Sequence, residues 1–153
     1  MTFGVGVIGA TGFIGTPYRA EIRECTDEAR IVALCARRLD RLESLKAECE
    51  ALNASVRVEV KALDVNDHDA VFATFNAFKA SFITLDRIIV NAGMGKGASI
   101  GTGYFEANKQ TATTNFVSAL AQCEAAMAIF REQKAGHLVT ISSISAVRGF
   151  RRA

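Results

Sequence analysis

Seven residues near the start of the chain, Gly9-Ala10-Thr11-Gly12-Phe13-Ile14-Gly15, set a glycine at every third position directly after a short apolar run. Each glycine has a use in that setting. Gly9 permits a tight turn, Gly12 lets backbone N–H groups come close to an anion, and Gly15 lets the next helix lie against the strand. The N-terminus of that helix adds free donors and a partial positive charge. The chemistry indicated is a grip on the pyrophosphate of a dinucleotide, with Thr11, Phe13 and Ile14 sharing the turn. An overlapping pattern, Gly4-x-Gly6-x-x-Gly9, meets the same fingerprint in letters only, because it runs through the strand instead of following it. A plain strand-to-helix turn in a flavodoxin-like sheet is the competing reading of these glycines.

The second group is Ala36-Arg37-Arg38, which falls where dinucleotide folds choose their cofactor, at the end of the second strand. A carboxylate there binds the free ribose hydroxyls of NAD(H) and repels a 2′-phosphate. Here the first acid is Asp40. A guanidinium instead grips a phosphate through paired, charge-assisted hydrogen bonds. The expectation is NADP(H), with NAD(H) the less favoured partner. The alternative is that Arg37 and Arg38 simply begin a charged helix with Asp40 and Glu43.

The elements that must hold these residues follow from hydrophobic patterning. Short, β-branched apolar runs at 5–8, 31–36, 56–62, 87–90 and 137–142 alternate with helix-period segments at 14–25, 39–52, 67–80 and 104–133. Strands that are apolar almost throughout are covered on both faces. The pattern therefore predicts an α/β fold: a Rossmann-like, doubly wound parallel sheet of five strands ordered 3-2-1-4-5. Asn66 or Asp67 can cap the third helix, with Asp69 favouring its dipole, and Gly136 lies where the fourth should end. Phe116, Leu120, Cys123, Met127 and Phe130 step by four and three along that fourth helix, a stripe suited to packing against the sheet.

Bulk properties narrow the field. At 153 residues with one proline and no Gly/Ser-rich run, the chain reads as a single dinucleotide-binding domain over 1–153. A net charge of +2 gives no argument for nucleic acid, and the arginines at 148, 151 and 152 read as a solvated tail. No apolar stretch is long enough to cross a membrane. Cys25, Cys35, Cys49 and Cys123 lack metal-ligand spacing and, with no secretory signal, read as reduced thiols of a cytoplasmic protein.

From about residue 32 to 150 the chain resembles the short-chain dehydrogenase/reductase family. Leu85-Asp86-Arg87-Ile88-Ile89-Val90-Asn91-Ala92-Gly93 is similar to that family's fourth strand and Asn-Ala-Gly turn, and Ile141-Ser142-Ser143 is similar to its fifth strand with the catalytic serine. The resemblance implies that Ser143 orients a substrate carbonyl and that Asn115 supports a proton-relay water. It implies that Asp64, with the Val65 backbone beside it, meets the adenine amino group, and that Asn91, Ala92 and Gly93 border the nicotinamide-side ribose. The competing reading makes Asp64 only a turn or cap residue, and without the resemblance Asn115 and Ser143 read as capping or buried polar groups. Met94-Gly95-Lys96-Gly97 reads as a mobile loop over the site. The family also uses the helix corresponding to 104–133 (Tyr104 to Gln133) as a dimer face, so a homo-oligomer is the second reading of its apolar stripe.

The family's acid–base pair, Tyr-x-x-x-Lys, has no counterpart here. Tyr18 and Tyr104 are the only tyrosines, and neither has a lysine four residues later. His137 precedes the fifth strand at the wrong edge, His68 opens a helix, and Lys96 has no tyrosine partner. The expectation is a domain incomplete at its C-terminus, with the motif beyond Ala153, which binds nucleotide and turns over little or nothing alone. The exposed flank of the fifth strand would favour self-association. Residues 3–38 are more similar to the start of the glucose–fructose oxidoreductase and inositol dehydrogenase family, or to extended short-chain dehydrogenases. A fusion or recombined design joined within the second strand, and a divergent natural member, both account for that change.

Overall fold

The protein is described here as a computed structural model covering residues 3–8, 29–52 and 54–148. The glycine turn, the helix expected over 14–25, Cys25 and the last arginines lie outside the described residues. Five strands form one parallel sheet: β1 (Phe3–Ile8), β2 (Ala29–Ala36), β3 (Arg57–Ala62), β4 (Arg87–Val90) and β5 (His137–Thr140). Their spatial order is β3-β2-β1-β4-β5, so the first strand is central and the chain reverses direction across the sheet between β1 and β4.

Strand β2 shows why the sheet is covered on both sides. Ala33 and Cys35 face one apolar layer and Leu34 and Ala36 the other, the two-residue alternation of a pleated strand. On the second face, α1 (Leu39–Leu52) lays down Leu42, Leu45 and Cys49, spaced by three and four, against Leu34 and Val58. Leu34, Leu42 and Leu45 are wholly buried, each burial contributing about 2 kcal/mol. On the first face, α2 (His68–Ser81) brings Val71, Phe75 and Phe78, and a second helix, α4 (Ser118–Gln133), brings Ala125, Ala126, Ile129 and Phe130.

The start of α2 is fixed locally: Asp67 is the N-cap, its carboxylate accepting from the Ala70 N–H at 3.0 Å, and Asp69 sits in the first turn. At the far end of α4, Lys134 takes a left-handed conformation (φ 58°), and Gly136 follows with φ 153°. A Cβ on Gly136 would stand 2.1 Å from the Phe130 ring, so the chain can only leave the helix this closely without a side chain there.

Two expectations for the last helix and strand are corrected. The helix expected over 104–133 is α3 (Phe105–Ala112), a π-helical turn at Thr113–Val117, and then α4. Its buried stripe is Ser118, Gln122, Ala125, Ala126, Ile129 and Phe130, whereas Phe116, Leu120 and Met127 are 71%, 53% and 38% exposed. Close packing of α4 on α2 takes small residues and hydrogen-bonded polar ones, which leaves the large apolar side chains on the open face. Strand β5 ends at Thr140 instead of 142. Ile141 adds one more bond, its N–H donating to the Val90 carbonyl at 2.9 Å, and Ser142 and Ser143 lie beyond the sheet, before a 3-10 turn at Ile144–Ala146.

Candidate functional site

Parallel pairing brings one end of every strand to the same edge. Ile8 pairs with Cys35 and Val90, Ala36 with Ala62, and Val90 with Thr140. The residues that follow these ends therefore collect along one rim: Arg37 after β2, Leu63 to Asn66 after β3, Asn91 to Gly93 after β4, and Ser142 and Ser143 after β5. That rim, at the point where strand order reverses, is where open α/β sheets hold ligands. His137 begins β5 at the opposite edge, its Nδ1 accepting from Arg87 Nε at 3.2 Å. Gly9, Thr11, Gly12, Phe13, Ile14 and Gly15 are outside the described residues, although β1 ends directly before them.

Arg37 is exposed in a bend between β2 and α1, and it makes no ion pair or hydrogen bond among the described residues. The helix starts only at Leu39, so Arg37 does not belong to it; the Arg38 carbonyl accepts from the Leu42 N–H at 3.2 Å. Just inside the rim, Cys35 is fully buried, and burial pushes its thiol up to about 12. It stays protonated and is no nucleophile at neutral pH.

After β3, Asp64 is exposed and performs two tasks with separate oxygens. Its Oδ1 accepts from the Asn66 backbone N–H at 3.1 Å and from Asn66 Nδ2 at 3.2 Å, which closes a short side-chain-to-backbone turn. Among the described residues no donor reaches Oδ2. The Val65 side chain is turned into the core, so only its backbone can serve a ligand. The cap of α2 falls to Asp67, which frees Asn66 for Asp64.

After β4, Asn91 is buried, Ala92 half-buried and Gly93 exposed. Asn115, on the π turn, grips the backbone just downstream: its Oδ1 accepts from the Met94 N–H and its Nδ2 donates to the Met94 carbonyl, both at 2.8 Å. A Cβ on Gly93 would lie 3.5 Å from Asn115 Oδ1. Asn108, two helical turns earlier, accepts from the Ala98 N–H at 2.6 Å. The segment expected to be a mobile loop is therefore pinned at Met94 and at Ala98, with Lys96 exposed between the pins. Both amide atoms of Asn115 are engaged with Met94, so this side chain holds the loop. Ser143 is exposed beyond β5, its carbonyl accepting from the Ala146 N–H at 2.9 Å.

Sequence reasoning missed the polar group that joins these loops. Thr114 Oγ1 and Ser118 Oγ both donate to Asn66 Oδ1, at 3.1 and 3.0 Å, and His68 Nε2 lies 3.3 Å from Ser118 Oγ. His68, which opens α2, is half-buried against this cluster. The available signal was two hydroxyl residues four apart, Thr114 and Ser118, at the head of the buried helix face.

Comparison with known proteins agrees with this arrangement. The short chain dehydrogenase family model matches residues 5–153, and the chain belongs to that family. An uncharacterized oxidoreductase of Mycobacterium tuberculosis is 43% identical over 143 residues, which is 94% of this chain and 55% of that protein. Among solved structures, an NADPH-dependent 3-quinuclidinone reductase from Rhodotorula rubra superposes with a TM-score of 0.84 at 28% identity, over 95% of this chain and 54% of that one. An NAD+-bound xylitol dehydrogenase superposes at 0.86 with 24% identity, over 98% of this chain and 56% of that one. The chain spans about half the length of the curated relatives it matches. The family match and the tuberculosis relative both run across the second strand, where the sequence resemblance changes character.

Proposed function

We propose that this chain is a single Rossmann-type domain, strand order 3-2-1-4-5, that binds NADP(H) for an oxidoreductase acting on carbonyl and alcohol substrates. The observation that carries the cofactor choice is Arg37: an exposed guanidinium directly after β2, without an internal partner among the described residues, where an acid would select NAD(H). The donor set along the rim fits the adenosine end of the dinucleotide. Arg37 would meet the 2′-phosphate, Asp64 Oδ2 the adenine amino group, and the Val65 backbone its ring edge. Ala92 and Gly93 leave room for the nicotinamide-side ribose. The NADPH dependence of the 28% identical quinuclidinone reductase supports this choice, while the NAD+-bound xylitol dehydrogenase shows that the fold accepts either dinucleotide.

When bound, the cofactor supplies or takes up the hydride. Ser143 would direct a carbonyl oxygen, and Asn115 would keep Met94 and Gly93 in place beside the ribose. These residues provide no proton. The 153 residues contain no Tyr-x-x-x-Lys, and a positioned acid–base group contributes about 10²–10⁴-fold to rate, so turnover by this chain alone should be negligible. A divergent member of one family accounts for its whole length better than a fusion, because one relative at 43% identity spans 94% of it. The exposed Phe116, Leu120 and Met127 on the α3–α4 face suit a second copy of the chain. A net charge of +2 gives no argument for a nucleic-acid partner, and among the described residues no helix is long and apolar enough to cross a membrane.

Separate fluorescence titrations with NADPH and NADH test the proposal. NADPH should bind at least tenfold tighter, and Arg37→Asp should reverse the order. Equal affinities that the substitution leaves unchanged would remove the basis for NADP(H).

A further inference from the structure

We propose that Asn66 is a positioning residue that sets the Asp64 carboxylate for the adenine amino group, with its own amide held in the working sense by Thr114 and Ser118. This rests on the reading above that Asp64 meets adenine. The argument comes from donor and acceptor counting. An amide oxygen has two lone pairs, and on Asn66 Oδ1 both are taken, by the Thr114 hydroxyl at 3.1 Å and the Ser118 hydroxyl at 3.0 Å. The two hydroxyls could donate or accept, but the Asp64 carboxylate can only accept, so the amide presents Nδ2 to Asp64 Oδ1 at 3.2 Å and Oδ1 to the hydroxyls. The Asn66 backbone N–H reaches the same oxygen at 3.1 Å. Ser118 has a single hydroxyl proton, which goes to Asn66, so His68 Nε2 at 3.3 Å must be the donor to Ser118 Oγ.

The result is a one-way series of donors, from His68 to Ser118 to Asn66 to Asp64, that ends on a carboxylate. Both Asn66 donors converge on Oδ1, which turns Oδ2 outward with its acceptor capacity intact. A carboxylate with one oxygen tied is pre-aligned for a ligand N–H, and less rotational freedom is lost when the ligand arrives. Thr114 and Ser118 belong to the π turn and to the start of α4, and Asn115 between them holds Met94. The adenine end of the rim is thus aligned by the same stretch of helix that holds the nicotinamide end.

The test uses the full chain and two ligands: NADPH, and its analogue with unsubstituted purine in place of adenine, which lacks only the amino group. The starting protein should prefer NADPH about tenfold, the scale of one hydrogen bond to a charged acceptor. Asp64→Ala should bring that ratio to about one. Asn66→Ala should lower it toward one while leaving affinity for the purine analogue within about twofold. Asn66→Ser, which keeps a donor and the backbone turn, should restore part of the ratio, and Thr114→Val, which removes one of the two bonds that hold the amide in place, should give an intermediate value. Melting curves by circular dichroism establish that each variant is folded, which matters because Asn66→Ala takes an acceptor from the buried Thr114 and Ser118 hydroxyls.

If the starting protein binds both ligands equally, or neither, Asp64 does not meet adenine and the inference falls with that reading. If Asp64→Ala abolishes the preference but Asn66→Ala retains it, the reading stands and the inference alone is overturned. If Asn66→Ala weakens both ligands by one factor, Asn66 supports the loop without aligning the carboxylate, and the inference is again overturned.

Discussion

The loops that leave β3 and β4 reach the same rim by opposite means. In the first, Asp64, Asn66, Asp67 and Ala70 exchange side-chain and backbone bonds within seven residues, so the turn and the helix cap form from their own sequence. In the second, Met94 and Ala98 are held by Asn115 and Asn108, which are 21 and 10 residues further along the chain. The backbone bonds of the β3 loop need no partner outside those seven residues. The β4 loop takes shape only when the helix beyond it has docked. The backbone of the β3 turn is locally encoded, with Thr114 and Ser118 reaching only the Asn66 side chain, whereas the backbone of the β4 loop is held by distant side chains.

Three substitutions sharpen or break this contrast. The largest effect is expected for Asn115→Ala, which removes two hydrogen bonds from Met94. Loss of about 2 kcal/mol in urea unfolding, with faster amide exchange at Met94 and little change at Asp67, would fit a loop held from a distance. Unchanged exchange at Met94 would show that the β4 loop holds itself, and the contrast would disappear. Asp67→Ala should cost about 1 kcal/mol, the scale of a lost N-cap, with faster exchange confined to the first turn of α2. Spread of that effect to Met94 would mean the two loops are coupled more tightly than their bonds indicate. Asn108→Ala removes one bond and should cost roughly 0.5 kcal/mol, raising exchange at Ala98 alone. A cost equal to that of Asn115→Ala would identify Ala98, and not Met94, as the principal anchor.

The same division explains what could be read from the sequence. The strand at 87–90 and the helix at 39–52 were legible to the residue, because apolar period and turn residues are local signals. The capping carboxylate near 67 was legible for the same reason. The buried stripe of α4 was not: it is built from alanines, a serine and a glutamine, while the residues that look like a core stripe, Phe116, Leu120 and Met127, face outward. Hydrophobicity identifies an apolar face but not whether the molecule covers it. Asn115 stood out only through family resemblance, and its partner Met94 not at all, since a side-chain amide carries no sign of which distant backbone it will meet. Asn66 showed as a capping residue, and only the folded helix reveals that its amide is claimed by Thr114 and Ser118.

The π turn at Thr113–Val117 has a consequence for chain length. Such a turn is an α-helix carrying one residue too many, accommodated by widening the coil. Deleting a single residue there, Phe116 for instance, would restore the α-helical period and rotate the helix before it by about 100° relative to the helix after it. Asn108 could then still meet Ala98, or Ser118 still meet Asn66, but the two faces would no longer be in phase. The capacity of one helix to serve two loops is therefore stored as a count of residues, and a one-residue gap at this position in a relative would mark a protein in which the two ends of the rim are no longer set by the same helix.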